Sequence, residues 1–317
     1  MKEKIKTKIL PIWLSCLILV SAIQPAVFLF SHKNRGNASL PSQAPQVLGE
    51  STQIRGDEAP VAQPISQIKD PNTSLVSAKS FIVFDLSTGR DLLQKNPGQK
   101  LSIASLTKLL TAYVAYQNID LNQDMSIGRK DILGVKPNLN FLVGDKVKAL
   151  DVFNAMLVGS CNDAALALGN YTSEVTGQTF IGLMNIQAKS LGMESSSFSN
   201  PMGFDSANNY STVHDIKALI SATENLAVFK NLGRRTTYEF SGSLGKAYST
   251  VATNKLLKDY PDLEAIKTGF TQGAGGAMAT KLTTAGHEIV ILVLDSQNRE
   301  ADTLKLRETI LNDFKWN

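Results

Sequence analysis

The chain has 317 residues, 43% of them hydrophobic, which is the composition of a globular protein long enough to bury a sizeable core. Its formal net charge is +4, and the first 35 residues carry all of this excess, so the remainder is close to neutral. No basic stripe with interleaved aromatic residues is present, which argues against a nucleic acid as partner.

The N-terminal segment, residues 1–35, has the pattern of a membrane-targeting sequence. Four lysines precede an uncharged apolar run of about 22 residues, and roughly 20 such residues span a bilayer as a helix. Lysines before the run favour a cell-membrane protein whose remaining chain lies outside the cytoplasm, on the cell-wall side. We predict an uncleaved anchor; the alternative is a cleaved signal peptide, but no convincing A-x-A site follows the run. The two cysteines, Cys16 and Cys161, are not expected to pair.

Residues 36–75 have the composition of a flexible linker, with five prolines among Ser, Gln and Gly. A folded domain is predicted over residues 76–317. It begins with a β-hairpin in "SFIVFDLSTGRDLLQKN", where two strand-like runs flank a Ser-Thr-Gly turn. The next stretch, "SIASLTKLLTAYVA", is predicted to be mostly helical because its leucines recur along one apolar face.

The chain from about residue 115 to about residue 230 is predicted to be mostly helices and loops, with a break between two helices at Gly159 and Ser160. Strands return in "TTYEFSG", "LEAIKTGF", "GAMATKLTT" and "HEIVILVLDS", and "READTLKLRETILNDF" is a last helix. Strands at both ends with helices between them predict an α+β fold, an αβα sandwich. Its mostly antiparallel sheet would be flanked by helices and joined by a helical subdomain.

Ser105 and Lys108 lie one helical turn apart at the start of the first apolar helix, so their side chains share one surface. A serine needs a base to act as a nucleophile, and none of His32, His214 and His287 has the context of a catalytic triad. A lysine can replace the histidine when burial and nearby cations lower its pKa. The helix N-terminus also favours a developing oxyanion. For this motif alone, a helix-capping serine beside a solvated lysine stays open.

Two further short motifs carry polar groups at element ends. Ser160 and Asn162 stand in "GSCND" at the predicted break between helices, where small polar residues often cap a helix. Lys267, Thr268 and Gly269 end a strand-like run in "IKTGF". A cation and a hydroxyl at the end of a strand suit a carboxylate ligand, and the glycine lets another backbone approach closely. Each motif by itself is also compatible with a purely structural role.

The three motifs in this order, S-x-x-K, S-x-N and K-T-G, resemble the signature of penicillin-recognising serine acyl-transfer enzymes. Longer stretches resemble the D-alanyl-D-alanine carboxypeptidases, the low-molecular-mass penicillin-binding proteins of peptidase family S11, over about residues 75–317. These stretches are "ASLTKLLTAYVA", "LVGSCNDAALALG", "NPMGFDSANNYSTVHDIKALI", "NKLL" and "EAIKTGFTQGAGG". The resemblance implies a fold of the serine β-lactamase/DD-peptidase type, a peptidoglycan stem peptide as substrate, and β-lactams as inhibitors. No metal-ligand cluster or nucleotide-binding loop stands out, so no cofactor is expected.

The resemblance also implies roles for individual residues. Ser105 would attack the D-Ala-D-Ala carbonyl, and Lys108 would take its proton. Ser160 would relay a proton to the leaving amine, and Asn162 would orient Lys108 and the substrate amide. The remaining roles concern the third motif. There, Lys267 and Thr268 would hold the terminal carboxylate, and the N–H groups of Ser105 and Phe270 would form the oxyanion hole.

The sequence departs from related patterns at two positions. Phe270 follows K-T-G where many members of the family have His or Tyr, which bears on substrate preference. Cys161 fills the centre of the second motif where class A β-lactamases have an aspartate, and the E-x-x-L-N stretch of those enzymes is missing. A carboxypeptidase is therefore the main prediction. The alternatives are a DD-endopeptidase, a weak β-lactamase, or a non-catalytic anchored penicillin sensor.

Overall fold

The computed structural model describes residues 65–316. The strands are β1 (Ser66–Gln67), β2 (Ser80–Asp85), β3 (Asp91–Lys95), β4 (Asp124–Ser126), β5 (Lys146–Lys148), β6 (Thr237–Ser241), β7 (Ala247–Val251), β8 (Leu263–Thr271), β9 (Gly275–Thr284), β10 (His287–Ser296) and β11 (Phe314–Lys315). The helices are α1 (Thr107–Asn118), α2 (Ala149–Gly159), α3 (Asn162–Thr176), α4 (Phe180–Ser190), α5 (Val213–Thr223), α6 (Ala227–Lys230) and α7 (Arg299–Asp313). Three 3₁₀ turns cover Ala104–Leu106, Arg129–Asp131 and Lys255–Lys258.

The central sheet has five strands in the order β3-β2-β10-β9-β8, and all of its neighbouring pairs are antiparallel. Side chains alternate between the two faces of β2. Ile82 and Phe84 pack with α1 and the other helices of the middle region, while Phe81 and Val83 pack with Leu306 of α7 and its neighbours. Both faces are therefore covered, which explains the continuous apolar run of β10 and confirms the predicted αβα sandwich.

The middle of the chain forms the predicted helical subdomain. Helices α2 and α3 pack against each other and against α1, and the β6–β7 hairpin packs on α2. The break between α2 and α3 falls at Ser160, whose φ of 59° and ψ of 28° place it in the left-handed region. A left-handed residue ends one helix and lets the next start in a new direction. The break predicted at Gly159 and Ser160 is confirmed.

The structure differs from the sequence expectations in its short elements. Helix α1 begins at Thr107, and Ser105 lies in the preceding 3₁₀ turn instead of inside the helix. The strands β4, β5 and β7 and the four-residue α6 were not predicted, because such short segments carry too few residues for a hydrophobic period to show. Part of the predicted linker is also ordered: β1 pairs with β11, and Ile65 is buried.

Within residues 65–316, no helix has both the length and the apolar composition that a bilayer crossing requires. The predicted anchor, residues 1–35, and residues 36–64 of the predicted linker lie outside the part of the chain that is described. The boundary between linker and domain at residue 75 stays a prediction, although ordered pairing at Ser66 and Gln67 precedes it.

Candidate active site

The fold brings the three sequence motifs together around two lysine side chains, Lys108 and Lys267. Lys108, in the first turn of α1, donates hydrogen bonds to Ser105 Oγ at 3.0 Å and to Asn162 Oδ1 at 2.8 Å. Lys267, on β8, donates to Ser160 Oγ at 2.8 Å. The predicted residues of the first and second motifs are thus joined directly, and the third motif is joined to the second.

Ser105 sits in a strained turn that two other segments hold closely. Its neighbour Ala104 has a φ of 46°, in the left-handed region that a non-glycine residue rarely adopts. Gly203, at a φ of 86°, lies so close that an added Cβ would be 1.9 Å from the Ala104 carbonyl oxygen. On the other side, an added Cβ on Gly269 would lie 2.8 Å from the Ser105 nitrogen. These close approaches fix the position of the serine relative to β8.

Lys108 is fully buried, and its ammonium has a hydrogen-bond acceptor for each of its protons. The third acceptor is the Met202 carbonyl oxygen, at 2.6 Å. Burial, together with the nearby Lys267 cation, lowers the pKa of Lys108 well below its usual value. A neutral Lys108 has a lone pair that can accept the Ser105 proton, so the arrangement suits a serine activated by a lysine base.

Asn162 is locked by contacts on both sides of its amide. Its Oδ1 accepts from Lys108, and its Nδ2 donates to the carbonyl oxygens of Val135 and Lys136 at 3.2 and 3.1 Å. These contacts account for an orienting role toward Lys108. Both N–H groups of Asn162 face protein carbonyls, so the structure shows none that is free for a substrate amide. The predicted contact of Asn162 with the substrate amide stays a prediction.

Lys267 is the second buried lysine of the site. Besides Ser160, its Nζ donates to the Thr268 carbonyl oxygen at 3.0 Å. Burial and then the nearby Arg299 guanidinium lower the pKa of Lys267 to about 7. Arg299 also donates to the Gly269 carbonyl oxygen at 2.7 Å, which supports β8 from behind.

The two remaining predicted residues lie on β8 next to Gly269. Thr268 is buried, with its Oγ1 2.5 Å from Thr253 Oγ1. Phe270 is 69% exposed and lies opposite Gly276 of β9, one residue beyond the contact with the Ser105 nitrogen. The participation of the Phe270 N–H in an oxyanion hole stays a prediction.

Cys161 is the other nucleophilic side chain at the site, and its environment makes it unreactive. Its thiol is buried and lies 3.4 Å from Thr250 Oγ1. Burial raises the pKa of this thiol to about 11, so almost no thiolate is present near neutral pH. Ser105 is therefore the better candidate for the nucleophile.

Sequence reasoning missed three residues that shape the site: Met202, Arg299 and Thr253. Met202 contributes only a backbone carbonyl, and any residue type can do that. Its position in "NPMGFDS" after an asparagine was nevertheless a usable signal, because Asn200 Oδ1 accepts from the N–H groups of Gly203 and Phe204 and folds this loop. Among residues 65–316, no group of three or more His, Cys, Asp or Glu side chains is arranged to hold a metal ion.

Comparison with known proteins identifies the family. Residues 67–298 match the peptidase S11 family, described as D-alanyl-D-alanine carboxypeptidase. The D-alanyl-D-alanine carboxypeptidase DacC of Escherichia coli is 30% identical over 250 residues, which cover 74% of this chain and 60% of that protein. The D-alanyl-D-alanine endopeptidase of Pseudomonas aeruginosa is 28% identical over 264 residues, which cover 78% of this chain and 83% of that protein. The chain spans less than two thirds of the length of the Escherichia coli relative.

Two solved structures share the fold. The DD-transpeptidase of Streptomyces K15 has a TM-score of 0.70 and 25% identity, covering 77% of this chain and 99% of that one. Penicillin-binding protein D2 of Listeria monocytogenes, solved in its cefotaxime-bound form, has a TM-score of 0.63 and 27% identity, covering 75% and 98%. The family match, the shared fold and the convergence of the three motifs lead to one conclusion: the chain belongs to the D-alanyl-D-alanine carboxypeptidases of peptidase family S11.

Proposed function

We propose that this protein is a serine-type D-Ala-D-Ala carboxypeptidase that removes the terminal D-alanine from peptidoglycan stem peptides. The observation that carries the proposal is the contact of the buried Lys108 Nζ with Ser105 Oγ, at 3.0 Å. A lysine with a depressed pKa at that distance is a base within reach of a serine hydroxyl.

The reaction proceeds through an acyl-enzyme. Ser105 Oγ attacks the carbonyl carbon of the penultimate D-alanine while Lys108 takes the hydroxyl proton. Lys108 gives this proton up through Ser160, which is held by Lys267 and donates its own proton to the nitrogen of the terminal D-alanine as the C–N bond breaks. Water then hydrolyses the ester on Ser105, releasing the shortened peptide as a carboxylic acid. N–H donors directed at the developing oxyanion are typically worth about 3–4 kcal/mol each.

The substrate end of the site favours a free carboxylate over a continuing peptide chain. Lys267 supplies a cation, and Thr268 supplies a hydroxyl at the same end of β8. Hydrogen bonds from such groups to a carboxylate contribute roughly 1.5–3 kcal/mol each. This chemistry favours a carboxypeptidase. The endopeptidase alternative is kept because the Pseudomonas aeruginosa relative carries that name.

β-Lactams are the proposed inhibitors, because they present a strained amide and a carboxylate to the same groups. The Listeria monocytogenes penicillin-binding protein D2 was solved with cefotaxime bound, and its fold matches this one. We expect labelled penicillin to form a stable ester with Ser105, which mass spectrometry of the peptide that contains this residue would locate. An adduct on Ser160 would overturn the assignment of the nucleophile.

One assay separates the carboxypeptidase from the endopeptidase and from the penicillin sensor. The purified protein is incubated with a synthetic stem pentapeptide and, separately, with a cross-linked peptide dimer. Release of D-alanine from the pentapeptide, lost in Ser105→Ala, is the expected result. Preferential cleavage of the dimer would favour the endopeptidase. Penicillin binding without cleavage of either peptide would favour the sensor.

A membrane location with the catalytic domain on the cell-wall side is part of the same proposal. It depends on the lysines and the apolar run of residues 1–35, which lie outside the described residues. We expect the protein in the membrane fraction to keep its intact N-terminus, as judged by mass spectrometry. A soluble form that starts near residues 27–40 would show cleavage instead.

A further inference from the structure

Two threonine hydroxyls form an isolated pair beside the third motif. Thr268 lies on β8, and Thr253 lies between β7 and the 3₁₀ turn Lys255–Lys258. Their Oγ1 atoms are 2.5 Å apart, and either of them can be the donor. Within residues 65–316, neither hydroxyl has another hydrogen-bond partner in the protein. Thr268 is buried, but Thr253, Lys267 and Thr268 line one pocket, so a ligand in that pocket can reach the pair.

The position of Thr253 is fixed by the residue that follows it. The buried Asn254 accepts a hydrogen bond from the Leu256 N–H at 2.9 Å and so caps the 3₁₀ turn. Thr268 is held from its other end, because Lys267 Nζ donates to its carbonyl oxygen. These hydrogen bonds hold both backbone segments in place, and the two hydroxyls are therefore kept in contact.

The arithmetic of protons gives the pair a property that one threonine lacks. Two hydroxyls carry two protons, and the bond between them uses one of these protons. One proton is left to donate to a ligand, and it belongs to whichever of the two hydroxyls accepts from the other. A lone Thr268 hydroxyl could turn toward the backbone, whereas the contact with Thr253 leaves the pair with one proton that the protein does not use. A carboxylate can only accept hydrogen bonds, so it is the ligand that this proton suits.

We propose that Thr253 is a positioning residue for recognition of the substrate carboxylate: Thr253 and Thr268 act as one unit that presents a single hydroxyl proton to this ligand. This inference rests on the proposed carboxypeptidase function and names a residue that the three sequence motifs do not include. The contribution matters more here because two of the three N–H groups of Lys267 are already directed to Ser160 and to the Thr268 carbonyl.

The test is a double-mutant cycle on the preference for a free carboxylate. The variants are Thr253→Val, Thr268→Val, the double variant and Thr253→Ser, with Thr237→Val on the exposed strand β6 as the matched control. For each protein, kcat and KM are measured on a stem peptide and on the same peptide amidated at its C-terminus. Valine keeps the shape of threonine and removes only the hydroxyl.

The expected result is a roughly tenfold loss of the preference for acid over amide in Thr253→Val, as befits one charge-assisted hydrogen bond. The loss appears on the acid substrate, and mainly in KM. Thr253→Ser keeps the preference, and so does Thr237→Val. The double variant is no worse than Thr268→Val, because two residues that act as a unit are not additive.

Three outcomes would overturn the inference: an unchanged preference in Thr253→Val, full additivity in the double variant, or failure of Thr253→Ser to restore the preference. A folding defect is recognised by thermal unfolding and by loss of activity on both substrates alike. If the wild type cleaves neither peptide, the proposed function itself fails. Because that result is read before any variant, it is distinct from a failure of the threonine pair.

Discussion

Lys108 combines burial in the core with the properties that the proposed base requires. Its side chain is buried among apolar neighbours of α1, where a charged amine is costly unless its protons are all bonded. The fold provides acceptors on three separate segments, namely Ser105, Asn162 and the Met202 carbonyl. The same burial depresses the pKa of Lys108, which makes the neutral base accessible.

Replacing Lys108 with arginine tests the base directly. Arginine keeps a positive charge and does not lose its proton at working pH, so Ser105 would lose its base. We expect acylation by labelled penicillin to fall by roughly 10²–10⁴-fold in Lys108→Arg, as is typical when a general base is removed. Lys189→Arg, on the exposed side of α4, is the matched control and should acylate normally. Near-normal acylation by folded Lys108→Arg would make this lysine structural only.

The dependence of kcat/KM on pH should show the titration of the second lysine, Lys267. The pKa of Lys267 is lowered to about 7 by burial and by Arg299, so Lys267 is protonated below about pH 7 and neutral above it. Binding of a carboxylate needs the protonated form, and kcat/KM on the peptide acid should therefore fall as the pH rises through about 7. Lys108 acts as a base only when neutral, so its protonation at low pH should also lower kcat/KM.

Arg299 provides the variant that checks this assignment. Removing its charge in Arg299→Gln takes away a repulsion, so the pKa of Lys267 rises and the alkaline fall moves to higher pH. Arg299→Lys keeps a cation at this position and should leave the fall close to its original pH. An alkaline fall that ignores both substitutions would belong to a group other than Lys267.

At the scale of residues, the sequence predicted the motif residues that meet at the candidate site, Asn162 among them, but not the further groups that position these residues. Ser105, Lys108, Ser160 and Lys267 stand in short motifs whose spacing follows from helix and strand geometry. Thr253, like Met202, is missing from that set, because it reaches the site through a contact with a strand 15 residues away in sequence. The hydrophobic periodicity of a single segment does not indicate which other segment it contacts.

The loop from Asn200 to Asp205 packs against the turn that carries Ser105. Asn200 folds it, the Met202 carbonyl contacts Lys108, and Gly203 packs against Ala104. Asp205 then accepts from Thr271 Oγ1 at 2.6 Å, which ties the loop to the turn after β8. This single loop therefore contacts both the S-x-x-K turn and the K-T-G strand.

A methyl group on this loop should disturb acylation. Gly203→Ala would place Cβ 1.9 Å from the Ala104 carbonyl oxygen, so the turn that carries Ser105 must shift. We expect acylation by penicillin to slow at least roughly tenfold, because small misplacements of reacting groups carry large rate penalties. Gly192→Ala is the matched control: Gly192 also has a positive φ, of 76°, but its Cβ would meet open space.

Alanine at a positive φ is strained, so the free energy of unfolding of both variants should fall by more than about 1 kcal/mol. Only Gly203→Ala should have a lower acylation rate per folded molecule than the wild type. Equal acylation by the two variants, measured well below their unfolding temperatures, would mean that the loop does not position Ser105.

Among the elements, long and strongly patterned segments were predictable. The hairpin of β2 and β3, the strands β8, β9 and β10 and the last helix agree with the apolar runs that predicted them. Strand β7 was missed because only one of its five residues, Tyr248, is buried, so no apolar alternation marks it. The sequence predicts helix for the 3₁₀ turn that carries Ser105, because its one leucine, Leu106, continues the apolar period of α1.

At the scale of the whole molecule, the two ends of the described chain are joined on one face of the sheet. Strand β1 pairs with β11, and Arg90 Nη1 donates to the Ile65 carbonyl oxygen at 2.6 Å. The sequence did not predict this closure, because proline and polar residues dominate the N-terminal segment and its partner lies at the opposite end of the chain. Two-residue strands that pair over such a separation have no signature of their own.

Asp302 of α7 is the residue that closes this face, and its removal should destabilise the molecule without affecting the chemistry. Its carboxylate accepts from the Ser77 N–H at 2.8 Å, from Ser77 Oγ at 2.7 Å and from Ser296 Oγ at 2.6 Å. It therefore joins the segment before β2, the end of β10 and the first turn of α7.

Asp302→Ala leaves the buried Ser296 hydroxyl and the part-buried Ser77 donors without this acceptor, so we expect the free energy of unfolding to fall by about 2–4 kcal/mol. For a domain of this size, the unfolding temperature should drop by roughly 5–10 °C, as calorimetry would show. Glu308→Ala, on the exposed side of the same helix, should change the unfolding temperature little. Below the transition, Asp302→Ala should be acylated by penicillin at the wild-type rate, because the Asp302 carboxylate contacts Ser77 and Ser296 and none of the candidate site residues. A slowed acylation at full folding would instead show that this face is coupled to the Ser105 site.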